Sequence, residues 1–173
     1  MSPDTYSPAV FDALFTWLES SAFSVWMRES PSMLAFPGIL AAHTVGLAFV
    51  AGLNGALDLR LLGAARGISP GSFARFLPFM WLGLWVNVLT GVALLAAYPT
   101  KALTNPVFYL KLGTIAAALL MLGPILRRAN EAGGNSRAVR LLAAASLAAW
   151  TAAIVAGRLL AYTCIRLTVD SPC

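Results

Sequence analysis

From Met33 to Leu57 the chain carries no Asp, Glu, Lys or Arg. A hydrocarbon core of roughly 30 Å is crossed by about 20 apolar residues. The stretch from Met33 to Arg60, MLAFPGILAAHTVGLAFVAGLNGALDLR, is therefore long enough to span a membrane. It also holds His43, the single histidine of the chain. At helical spacing His43, Leu47, Val50, Asn54 and Asp58 fall on one face. Lipid offers a polar stripe no partners, so that face must turn towards protein or water.

Composition extends this reading to the whole chain. Of 173 residues 59% are hydrophobic and 11% are charged, against roughly 25% charged in soluble domains. An all-α integral membrane four-helix bundle is predicted. Its further spans run from Phe76 to about Tyr98, from Pro106 to about Leu126, and from Leu141 to Tyr162. The bundle occupies residues 33–163, preceded by a segment over 1–32 and followed by a short tail over 164–173. In the first segment, Phe11, Leu14, Phe15, Leu18, Ala22, Val25 and Trp26 form one apolar stripe. They predict an amphipathic interfacial helix over 7–29, with Ser7 as its cap, Pro8 in its first turn, and Asp12, Thr16, Glu19 and Ser20 on its polar side. Packing of that helix on its own bundle is an equal expectation. Asp4, Asp12, Glu19 and Glu29 in the first 30 residues argue against a cleavable signal peptide.

The net charge of +5 is no sign of nucleic-acid binding, because the basic residues gather at the ends of spans, where they set orientation. Arg60, Arg66 and Arg75 follow span one, and Arg127, Arg128, Arg137 and Arg140 follow span three. Between spans two and three stands only Lys101. Both arginine-rich loops should be cytoplasmic and both termini periplasmic. Cys164 and Cys173 then lie on the exported side, where a disulfide between them is expected; two unpaired thiols are the alternative. Asp58, close to arginines, reads as an ion-pair anchor at the cytoplasmic edge.

Polar residues inside spans are functional candidates by default. Measured from Met33, His43 lies about 15 Å deep. Lys111 lies about 7 Å inside span three and Arg158 about 6 Å inside span four, from the same side. Asn87 and Thr90 are near the middle of span two. One reading is an acidic, partly apolar ligand, its anionic end clamped by Lys111 and Arg158 and its body near His43. Haem b, with His43 on the iron, fits that description, and so does a quinone; a bound lipid is a further expectation. Met33, Met80 and Met121 are the available thioether partners for an iron. The other reading is structural: Lys111 and Arg158 snorkel to head-groups, and His43 bonds Asn87 or Thr90 across a helix pair. No nucleotide loop, nucleophile elbow or HExxH pattern is present.

The blocks His43-Thr-Val-Gly46-Leu-Ala, Asp58-Leu-Arg60-Leu-Leu-Gly63, Leu77-Pro78, Thr90-Gly91 and Asn105-Pro106-Val-Phe108-Tyr-Leu-Lys111-Leu carry a resemblance. Over residues 10 to 128 the chain resembles an uncharacterised bacterial family of four-helix inner-membrane proteins, a domain of unknown function. More loosely, the Asn-Pro-x-Phe-x-x-Lys-Leu segment is similar to the membrane part of copper-resistance D proteins. The resemblance implies four spans in a bacterial inner membrane and no assigned activity. Family members often carry a second histidine near the end of span three, where this chain has Leu126 and Arg127. That departure turns the expectation from a two-histidine metal or haem site towards an accessory role. The expected function is a non-catalytic subunit that packs in or anchors a larger membrane complex, such as one of electron transport, with other membrane subunits or further copies as partners. The alternative is a small redox protein binding haem b or quinone near His43.

Overall fold

The computed structural model describes residues 8–65, 67–131 and 136–170. The cap expected at Ser7, the loop residues Arg66 and Gly133-Gly134-Asn135, and Cys173 lie outside the described residues. Among those described are seven α-helices and no strand.

The apolar stripe of the amino-terminal segment forms two helices where one was expected: α1, Pro8–Glu19, and α2, Ala22–Glu29. Ser21 makes the break. Its extended backbone and its hydroxyl, which accepts from Ser24 N–H at 3.3 Å, cap α2 in the way serine favours over continuing a helix. Helix α3, Phe36–Leu62, starts at Pro37 in its first turn, three residues later than expected. It stops at Gly63, whose φ of 116° is open to glycine at little cost, and Ala64 N–H reaches back to the Leu59 carbonyl. A 3-10 turn over Pro70–Phe76 leads into α4, Leu77–Ala97. The connection after α4 is a short helix, α5, Pro99–Leu103. Asn105 then caps α6, Pro106–Glu131, its Oδ1 accepting from Val107 N–H at 3.0 Å. Pro124 does not end α6. Helix α7, Arg137–Tyr162, is capped by the Ser136 hydroxyl.

Four of these helices are long and apolar enough to cross a membrane: α3, α4 with its 3-10 lead, α6 and α7. The protein is thus a multi-pass membrane protein built as an all-α four-helix bundle. The spans pack in the row α4–α3–α7–α6, and α4 and α6 share no extensive face. Gly46 and Gly83 let α3 and α4 cross closely; a β-carbon at Gly46 would lie 2.8 Å from the Gly83 carbonyl oxygen. At the arginine-rich end Leu57, Leu61, Met80, Leu122, Ile125, Val139 and Ala143 bring all four spans into one apolar cluster.

The opposite end is capped by polar bonding. Ser24 donates to the Ala96 carbonyl at 2.7 Å and Arg28 to the Ala97 carbonyl at 2.9 Å, so α2 satisfies the last turn of α4. Glu19, on the polar side of α1, is buried. Its Oε1 accepts from the Thr100 hydroxyl at 2.7 Å and its Oε2 from Val169 N–H at 3.2 Å. Asn105 donates to the Thr163 carbonyl at 3.0 Å, and Arg166 pairs with Asp12 at 3.4 Å. Cys164 is disulfide-bonded.

Candidate functional site

The start of α3, the end of α4, the start of α6 and the end of α7 meet beneath this cap. Because α3 begins at Phe36, His43 lies about 10 Å along it, less deep than counting from Met33 suggests. Thr90 lies at a similar distance from the end of α4, and Lys111 about 7.5 Å into α6. The three residues are therefore close to one level.

They touch. His43 Nδ1 is 3.0 Å from Thr90 Oγ1, and Lys111 Nζ is 3.4 Å from His43 Nε2. Asn87 donates from Nδ2 to the His43 carbonyl at 2.8 Å. The Thr90 hydroxyl has one proton, and the Val86 carbonyl takes it at 2.6 Å. Thr90 can then only accept from the imidazole, which assigns the ring proton to Nδ1 and leaves Nε2 as acceptor for the Lys111 ammonium. Two glycines make room. A β-carbon at Gly91 of α4 would lie 3.3 Å from His43 Cε1, and Gly157 of α7 lies alongside the Lys111 stem. Lysine from α6 thus passes over α7 to reach histidine on α3.

Arg158 does not join them. It is exposed, with its guanidinium carbon 5.8 Å from the Tyr162 ring centroid. Lys111 turns inward and Arg158 outward, so the side chains do not form the clamp that their similar depth suggested.

The donor set does not suit an iron. The lone pair of Nε2 points at Lys111, and the thioethers lie elsewhere. Met33 is 77% exposed ahead of α3, Met80 accepts from Asn54 Nδ2 at 3.1 Å, and Met121 packs with the arginine-rich end. No group of three or more His, Cys, Asp or Glu side chains gathers among the described residues. What the cluster does offer is hydrogen-bond donation. Lys111 is partly buried, has three N–H donors, and among the described residues contacts one polar partner and no carboxylate. A cation held off water in this way attracts an anionic or carbonyl oxygen.

Two parts of this arrangement had little sequence signal. Gly157 is one small residue among many in α7, and the Lys111–His43 contact depends on helix rotation, which span-by-span depth does not fix. Comparison with family models, curated proteins and solved structures returns no match.

Proposed function

We propose that this protein is a non-catalytic membrane subunit that holds the polar head of an acidic or carbonyl-bearing amphiphile at Lys111, beside His43, Thr90 and Asn87. The observation that carries the reading is the inward-turned Lys111 Nζ, with a neutral imidazole nitrogen 3.4 Å away and no carboxylate beside it among the described residues. An anionic phospholipid or a quinone carbonyl would supply the missing acceptor at the same depth. The reading places the protein in a bacterial inner membrane, with the capped end and both termini periplasmic. The exposed Phe11, Leu14 and Trp17 of α1 and Phe23 and Trp26 of α2 support a cap lying in the interface, where aromatic rings are favoured.

Native mass spectrometry of gently extracted protein, with organic extraction of what it carries, tests the reading. Wild type should retain an anionic phospholipid or a quinone, and the extract distinguishes the two. Lys111→Met should lose it and Lys111→Arg should keep a large part. Equal retention by wild type and Lys111→Met would overturn the assignment.

A further inference from the structure

A second polar group lies at the arginine-rich end, on the seam between α3 and α7, and owes nothing to the Lys111 cluster. Asp58 is 1% exposed, about 6 Å before the end of α3. Ser146 of α7, also buried, stands beside its carboxyl group. The carboxyl oxygen Oδ2 has no partner among the described residues. One turn along α7 the buried Trp150 has its indole Nε1 likewise unpartnered. These two orphaned atoms are on the same seam, and each is a polar group withheld from water.

Among the described residues Asp58 has no cationic partner. Arg60 of α3 turns its Nε to the Ile68 carbonyl. Arg75, on the 3-10 turn, lies over the Phe76 ring, and Arg127 and Arg128 of α6 and Arg137 and Arg140 of α7 are exposed. From α4, the side chain at this level is Met80. Asn54, one turn up α3, spends its Nδ2 on the Val50 carbonyl and Met80. The buried cluster at this end of the bundle is otherwise apolar, with Leu57, Leu61, Leu122, Ile125, Val139 and Ala143.

A bare carboxylate in such a setting costs several kcal/mol even after relaxation. A metal cation would need a shell of some six oxygens; here there are one carboxyl, one hydroxyl and an indole N–H, which is itself a donor. A proton needs one oxygen. We propose that Asp58, set against Ser146, is an intramembrane proton-binding site. The carboxylate takes up one proton to become a carboxylic acid and returns it towards the arginine-rich end, where α3 stops one turn away.

Infrared difference spectroscopy of the whole protein in lipid, stepped across pH, tests this. A carboxylic-acid carbonyl band should be present at low pH, vanish as pH rises, and be missing from Asp58→Asn. Ser146→Ala should move the pH at which it vanishes. Should Asp58→Asn fail to fold, [13C]aspartate labelling in a background with Asp4, Asp12 and Asp170 changed to asparagine gives the assignment, since Asp58 is then the one labelled aspartate. A band that shifts with the label and vanishes with rising pH supports the proposal. No label-sensitive acid band at any pH, or one that persists at every pH, overturns it.

Discussion

Single glycines decide how closely the helices carrying His43 and Asn87 approach. A β-carbon at Gly46 would meet the Gly83 carbonyl oxygen at 2.8 Å and Asn87 N at 2.9 Å, both backbone atoms that cannot step aside. Gly46→Ala must therefore push α3 from α4, at a cost of about 1–3 kcal/mol, and stretch the Asn87 bond to the His43 carbonyl. Gly52 and Gly113 have nothing within 4 Å of a built β-carbon. Alanine there should be neutral or stabilise by up to about 1 kcal/mol, as alanine does for a helix interior. Thermal unfolding in one detergent should show Gly46→Ala melting several degrees below wild type and Gly113→Ala at or above it. An unchanged melting point for Gly46→Ala would mean that the crossing is not tight. The same residue scale shows what sequence could not give. His43, Asn87 and Thr90 were legible as partners across a helix pair, because each is polar inside an apolar span. Asp58, read as an ion-pair anchor, has no cationic partner among the described residues, because nearness in sequence to Arg60 says nothing about which way each side chain turns.

At the scale of elements, the spans were legible because length and lack of charge leave lipid as the only matching solvent. Their ends were legible where chemistry marks them, as at Asn105-Pro106. The break between α1 and α2 was not, since Ser20 and Ser21 belong equally to the polar side of a continuous helix or to a cap. The role of Glu19 was hidden for the same reason: an acidic residue opposite an apolar stripe reads as solvated until the tail folds over it. That carboxylate joins α1, α5 and the tail through Thr100 and Val169. Hydrogen bonds to a charged group contribute about 1.5–3 kcal/mol each, and 1.4 kcal/mol is about tenfold in an equilibrium. Glu19→Ala should thus speed amide exchange over residues 163–170 by roughly tenfold or more, while exchange in α3 and α7 stays as in wild type. Breaking the disulfide at Cys164 should act in the same direction on the same segment. Unaltered tail exchange in Glu19→Ala would show the tail to be held by something else.

For the molecule as a whole, orientation is the property from which the proposed sites take their meaning. The end at the polar cap carries Asp12, Glu19, Glu29 and Asp170 with Arg28, Lys101 and Arg166, a slightly acidic set. The other end of the chain's spans is flanked by Arg60, Arg66, Arg75, Arg127, Arg128, Arg137 and Arg140, around two short connections. Basic residues in short loops stay on the cytoplasmic side, so the Lys111 cluster would open to the periplasmic leaflet and Asp58 to the cytoplasmic one. The disulfide at Cys164, at the capped end, points the same way, because such bonds persist in oxidising compartments. The test uses single cysteines in a background with Cys164 and Cys173 changed to serine. Ser69 is exposed ahead of the 3-10 turn, and Ala138 is exposed in the first turn of α7. Ala138 serves better than Ser136, whose hydroxyl caps that helix. A membrane-impermeant thiol reagent should leave Ser69→Cys and Ala138→Cys unmodified in intact cells and modify both once the membrane is opened. Met33→Cys, 77% exposed at the capped end, should react in intact cells. The inverse pattern would turn the molecule over, place Lys111 in the cytoplasmic leaflet, and set Asp58 to exchange its proton with the periplasm.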